Sequence, residues 1–313
     1  MSTTHRDPQG LAPPRVEDLG GGLYAYIQPD GSWMINNTGF LVSSTGVICV
    51  DACATERRTR AFLDTVATVT ELPVRTLINT HNHPDHVTGN ALFDSATIVA
   101  HEGTRAAMQA FTPPSDGGGI WEPFDPGSLP KAPPFLTFRE PITVWLNDLA
   151  CEVRHVGRAA HTDNDSIVWV AQHRVLYAGD LIFNGGTPFC LTGSVSGTID
   201  VLTNQIAPLR PEVIVPGHGD LCGPDAIDRV VAYLAFVQDV ARAGVAAGVG
   251  PLEAARETDL GEYAGWTDPE RIVGNLHRAY AEIRGEALAP HDAFAALGDM
   301  VAFNGGRPLT CLA

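Results

Sequence analysis

Apolar positions recur along this chain with two periods, one suited to strands and one to helices. Residues 38–50, TGFLVSSTGVICV, form two apolar runs around SSTG, which predicts a β-hairpin. Residues 55–71, TERRTRAFLDTVATVTE, put Phe62, Val66 and Val69 on one helical face, with Thr55 placed to cap it. A strand follows in VRTLI at 74–78, then a polar turn, then a short strand TIVAH at 97–101 and a helix at 102–111. Residues 112–135 are rich in Pro, Gly and Asp. They support no regular element, and a long loop of this kind commonly binds or covers a ligand.

Strand-like runs return at 142–146, 150–156, 166–171 and 174–178. A helix is expected at 199–209 and a strand, EVIV, at 212–215. From 224 onward the pattern is helical. Strands and helices alternate in both halves, so the class is α/β, with helices covering sheets.

The 313 residues are 44% hydrophobic, enough for a sizeable core. The formal charge of −16 argues against nucleic acid, whose phosphates require clustered cations. It also argues against steering of a highly anionic substrate. No run of eighteen apolar residues occurs, so no membrane partner is expected. The polar, Pro-rich N-terminus reads as a flexible leader over 1–15 and lacks the pattern of an export signal. Six scattered cysteines without a CxxC pair read as reduced, buried thiols in a cytoplasmic protein.

The polar turn changes the picture. Residues 80–90 read THNHPDHVTGN, with His81, His83, Asp85 and His86 crowded within six positions. Packing does not need such a cluster, and four adjacent polar side chains would cost stability without a cation. Three other places end a strand with a metal-capable residue: His161 in RAAHTDND, Asp180 in LYAGDLIF directly after the strand RVLYA, and His218 in VIVPGHGD after the strand EVIV. Singly, Asp180 could cap a helix and PGHG could be a plain turn. Imidazole and carboxylate are ordinary zinc ligands, and this many donors suits two metals. His5, His101, His155, His173, His277 and His291 read as ordinary surface or core histidines.

HNHPDH at 81–86, HTDND with His161, AGD with Asp180 and GHG with His218, in that order, resemble the metallo-β-lactamase fold superfamily. The resemblance implies a four-layer αβ/βα sandwich over 16–240; the helical pattern past it reads as a C-terminal extension over 241–313 packed on that core. It implies two zinc ions. His81, His83 and His161 would bind one, Asp85, His86 and His218 the other, and Asp180 would bridge. Asp85, together with metal-bound hydroxide, would be catalytic.

Four further stretches resemble cyclase/thioesterase-like proteins of aromatic polyketide pathways in actinomycetes: YIQPDGSWMINNTGFLV at 26–42, TPFCLTGSVSGTID at 187–200, PGHGDLCGP at 216–224 and RIVGNLHRAYAEI at 271–283. That likeness implies aldol ring closure on a polyketide intermediate, with thioesterase activity alongside. General hydrolysis of thioesters or lactones is the alternative, and a non-catalytic metal-stabilised binding protein a third. Antibiotic hydrolysis is disfavoured because that group is normally exported.

The substrate would be a small-molecule or carrier-protein-bound acyl compound. Trp33, Met34, Trp121 and Phe189 are candidates for its pocket, with plain core packing as the alternative for each. A homodimer is compatible with all of this.

Overall fold

The computed structural model describes residues 10–110 and 117–313. The first nine residues of the expected leader lie outside the described residues, as do 111 and 112–116 of the expected helix end and loop. Two sheets carry the fold. The first orders seven strands as they occur in the chain: β1 (Arg15–Asp18), β2 (Leu23–Ile27), β3 (Thr38–Val42), β4 (Val47–Val50), β5 (Val74–Ile78), β6 (Thr97–His101) and β7 (Leu136–Phe138). Pairing is antiparallel from β1 to β4 and parallel from β4 to β7. The second sheet joins β8 (Ile142–Leu146), β9 (Leu149–His155), β10 (Ser166–Val170), β11 (Val175–Asn184) and β12 (Val213–Gly219), antiparallel except for the β11–β12 pair.

The sheets lie face to face. One apolar cluster mixes Leu41, Ile48, Val50, Ile78 and Val99 from the first with Val153, Val168, Val170, Val175 and Val215 from the second. α1 (Glu56–Val69) covers the outer face of the first sheet through Phe62 and Val66, beside Phe40 and Leu77. Its cap is the expected one, Thr55 accepting from the Arg58 amide at 3.2 Å. Val69 departs from expectation. It is 37% exposed, because the buried face is completed by Arg58 and Thr59 in the opening turn.

Four helices cover the other face: α4 (Val195–Val201), α5 (Asp225–Ala247), α6 (Pro251–Glu257) and α7 (Arg271–Arg284), joined by α8 (Pro290–Phe303). The layers therefore run helix, sheet, sheet, helix, the architecture expected, with helices at the C-terminus. α5 runs unbroken through residue 240, where the sequence divided core from extension. By length and hydropathy α5 matches a membrane span, but Asp228, Arg229, Asp239 and Arg242 interrupt it. Its Val230, Tyr233, Leu234 and Val237 enter the core.

Several boundaries differ from the sequence expectation. α4 starts at Val195, not 199, because Ser194 caps it by accepting from the Gly197 amide, and a π turn (Leu202–Ile206) and a 3₁₀ turn (Ala207–Leu209) complete the run. α3 (Glu102–Ala110) and β6 stand where expected. β1, β2 and β7 were not anticipated. β11 and β12 run past their apolar stretches, so Asp180 and His218 lie within strands, not after them. The extension follows register shifts around Gly179, which let β11 continue beside β12 and pair Phe183 with His218.

Candidate metal centre

The parallel strands β4 and β5 both end at one rim of the sandwich, and such strand ends gather ligands. Past β5, Asn79 donates its amide to Val99 and its side chain to the His86 carbonyl, so the polar turn leaves the sheet in a fixed direction. His81 and His83 lie on that turn. Pro84 then opens a single helical turn, α2 (Pro84–Val87), that carries Asp85 and His86. His161 comes from the loop between β9 and β10. Asp165 holds that loop by accepting from the Thr162 amide and hydroxyl, both at 2.7 Å.

These segments meet. His81, His83, His161 and Asp180 form one group, and Asp85, His86, Asp180 and His218 a second. Within each group the ligand atoms lie within 4.8 Å of one another. Asp180 belongs to both. Its Oδ2 is 3.3 Å from His161 Nε2 and 3.4 Å from His218 Nε2, while Oδ1 is 3.0 Å from His86 Nε2. Asp85 Oδ2 lies 3.2 Å from His218 Nε2. Gly217 makes room for the shared carboxylate, since a Cβ there would stand 1.9 Å from Asp180 Oδ1.

The same seven residues that the sequence singled out are thus gathered, and among the described residues no other histidine joins either group; His5 lies outside the described residues. His101 instead stacks on His155 with ring centroids 3.9 Å apart. His277 pairs with Asp299 and His291 with Asp292.

Each of the five histidines has one nitrogen engaged away from the centre. His81 Nδ1 meets the Thr80 hydroxyl at 3.0 Å, His86 Nδ1 meets Asp51 at 2.8 Å, and His218 Nδ1 meets the Gly31 carbonyl at 3.1 Å. His161 Nδ1 donates to the Phe189 carbonyl, and His83 Nε2 lies 3.3 Å from the Thr192 hydroxyl. The other nitrogens, His83 Nδ1 and four Nε2, face inward. Such outer contacts orient histidine ligands and set their tautomer. Sequence reading missed Asp51. Its carboxylate also accepts from the Thr80 amide and hydroxyl, both at 2.7 Å.

The centre also passes a chemical test of fit. Among the described residues, His81 Nε2 is buried without a hydrogen bond, and His86 Nε2 and Asp180 Oδ1, though 3.0 Å apart, are not aligned for one. Orphaned buried polar atoms are costly, and a cation would satisfy all three. Burial holds His81 and His83 below the usual histidine range and pushes His161 down to about 3, leaving neutral rings with a free lone pair. Burial opposes ionisation of Asp85 and Asp180, yet neighbouring histidines keep both carboxyls low, Asp85 at about 2. For His86 and His218 burial opposes protonation, but the carboxylates prevail and raise both, His218 to about 9. These two rings carry protons where a cation would supply the positive charge. The donors are imidazole and carboxylate alone, a set that suits zinc.

The cluster forms part of the wall of a cavity of about 550 Å³. Trp33, Met34, Trp121 and Phe189 all line it. Trp33 meets Phe189 and Trp121 edge to face, at 5.2 and 5.5 Å between centroids. Its indole N–H donates to Glu270 at 2.7 Å.

The family model described as "Metallo-beta-lactamase superfamily" matches residues 31–218. Solved structures share the fold. The metallo-β-lactamase from Pontibacter korlensis superposes with a TM-score of 0.59 at 16% identity, covering 71% of this chain and 99% of its own. The metallo-β-lactamase IND-7 gives 0.58 at 19% identity, covering 71% and 98%. TMB-1 gives 0.57 at 18% identity, covering 72% and 98%. More than a quarter of this chain therefore has no counterpart in those proteins, and the family match ends before α5.

Proposed function

The chain belongs to the metallo-β-lactamase superfamily, and from that premise we propose that it is a zinc-dependent hydrolase acting on the carbonyl of an apolar acyl substrate, a thioester or a lactone. The observation that carries this reading is Asp180, shared by two buried ligand groups at the wall of an apolar cavity. His81, His83 and His161 would hold one zinc, Asp85, His86 and His218 the other, and Asp180 both. Bound there, zinc supplies Lewis acidity and lowers the pKa of water toward neutrality.

The chain's own residues do the rest. Asp85 stays ionised, lines the cavity and offers its carboxylate as the proton acceptor at the centre. The aromatic walls hold the acyl body and keep bulk water away, which strengthens every charge interaction inside. Ring closure on an aromatic polyketide, the activity implied by the narrower sequence resemblance, is the second reading. Trp33, edge to face with both Trp121 and Phe189 at the cavity, favours a flat substrate and is what supports it. A superfamily fold alone decides neither.

Elemental analysis of protein purified without chelator is expected to find close to two zinc per chain. Chelation should abolish thioester or lactone turnover and added zinc restore it. Asp85→Asn should lower turnover at least ~100-fold, the scale of a lost acid–base group, with circular dichroism unchanged. Absence of transition metal, with no response to added zinc, would end the proposal. Panels with a β-lactam and a poly-β-ketone thioester separate the neighbouring chemistries: ring closure without hydrolysis would promote the second reading.

A further inference from the structure

α7 brings two guanidinium groups to the cavity that metal binding does not explain. Arg271 and Arg278 both line it. Seven residues apart, they share one helix face and are separated by about 10 Å along the axis. Gly274 lies between them. A Cβ there would stand 2.7 Å from the Phe189 ring, so glycine lets the helix press onto the cavity wall.

Arg271 is held through its two terminal nitrogens, while its buried Nε has no hydrogen bond. It is buried, donates to the Thr187 carbonyl at 3.0 Å and lies 2.7 Å from the Asp268 carboxylate. Its guanidinium sits 4.1 Å from the centroid of Trp33 and 5.0 Å from that of Phe183. Phe183 in turn stacks on His218 at 4.9 Å. This arginine braces the aromatic wall behind the second ligand group.

Arg278 is different. Its Nε and Nη2 both donate to a single acceptor, the Leu191 carbonyl, at 3.0 and 2.8 Å. Among the described residues no carboxylate forms an ion pair with it. Glu282, one turn further along α7, gives its two oxygens to the Val195 and Ser196 amides at 2.8 and 3.1 Å. Arg278 is half-buried, and burial lowers its pKa. The nearby Glu282 charge offsets the lost solvation only in part, since no carboxylate pairs with the guanidinium directly, and an incoming anion relieves the remainder. Its position is telling. Leu191 precedes Thr192, whose hydroxyl touches His83, so Arg278 stands beside the His83 end of the metal cluster. Ala293, Phe294 and Leu297 of α8, the helix packed beside α7, add apolar lining to the same cavity, and Phe294 is 58% exposed.

We infer that Arg278 selects the substrate, by taking a carboxylate carried on the apolar body of the acyl compound. This rests on the hydrolase reading above. It places selection in helices beyond residue 218, where the family match ends. A planar carboxylate suits the fork of an arginine better than the point charge of a lysine.

The test uses zinc-loaded protein and two arylacetyl thioesters of N-acetylcysteamine, identical except for a distal carboxylate or carboxamide. Wild type should favour the acid in kcat/KM by about tenfold or more, the scale of one charge-assisted contact. In Arg278→Gln the ratio should fall close to one. Arg278→Lys, which keeps the charge without the fork, should give an intermediate ratio, and circular dichroism checks that both variants fold. The corresponding thioethers, which cannot be hydrolysed, are titrated in parallel by quenching of the cavity tryptophans. Equal ratios in wild type, or an acid preference that survives in Arg278→Gln, would overturn the inference, the latter by assigning the anion to the metal centre or Arg271. Thioether binding that prefers the acid through Arg278, without turnover of either thioester, would sink the hydrolase reading and leave the inference standing.

Discussion

A histidine presents one nitrogen to a metal reliably only when the other is committed elsewhere, and Asp51 makes that commitment for His86. It stands just past β4 with a φ of 61°, in the left-handed region that aspartate tolerates better than most residues. From there its two oxygens reach Thr80 and His86, and Thr80 in turn reaches His81. One carboxylate thus orients a ligand of each group. Asp51→Asn replaces an acceptor oxygen by a donor against these partners. Metal affinity should fall ~10–100-fold, as when an outer carboxylate partner is lost. Competition with a chromophoric chelator measures this, and unaltered affinity would reduce Asp51 to a packing role. The seven gathered residues were legible in the sequence because their crowding and their order have no structural purpose without a cation. Asp51 was not: a lone aspartate after VICV has no spacing to mark it. Arg271 and Arg278 were equally silent, since arginines on an amphipathic helix usually face solvent. Only the packing of α7 against Phe189 turns them inward.

At the scale of elements, burial alone did not make a strand legible: β2, LYAYI, is largely buried and was missed. β5 and β6 occupy the residues their apolar runs predicted. β10 is buried along its length and reads as a continuous apolar stretch. β1, with polar RVED, and β7, three residues long with Leu136 exposed, lie at the sheet edge and carry little pattern. Asp180 and His218 were placed after strands because polar ligands end an apolar run, although the backbone pairing continues through them. One contact between sheets makes a prediction about pH. His101 at the end of β6 stacks on His155 at the end of β9, and burial lowers the pKa of both, for His101 with help from His155 itself. A base whose folded pKa lies below its unfolded value of 6.5 contributes stability above that value and loses it as pH falls. The urea midpoint should therefore drop between pH 7 and 5. The double variant His101→Gln, His155→Gln should show a smaller drop. Equal drops would assign the acid sensitivity to other groups. Neither change should alter metal content, because both rings stand outside the two ligand groups.

Across the whole molecule, the centre ties together parts of the chain that are distant in sequence. Its ligands span residues 81 to 218 and come from both sheets: the turn after β5 on one side, and β11, β12 and the β9–β10 loop on the other. Without a cation the fold must bury His81 Nε2 without a hydrogen bond, leave His86 Nε2 and Asp180 Oδ1 in poorly directed contact, and rely on the carboxylates that favour protonated His86 and His218. A ligand that binds only the folded state stabilises it by mass action, by about 2.7 kcal/mol at a hundredfold excess over Kd. For a domain of this size that corresponds to roughly 5 °C in Tm. Stripping the metal should thus lower Tm by at least that amount and zinc should restore it. Hydrogen exchange should locate the loss. Protection is expected to fall together at the histidine turn and at the β11–β12 edge, because one cluster braces both sheets. α1, on the outer face of the first sheet, meets the segment after the histidine turn where Thr59 packs on Gly89, and should keep its protection beyond that first turn. Loss confined to one sheet would mean that the two ligand groups act separately, and that Asp180 does not couple them.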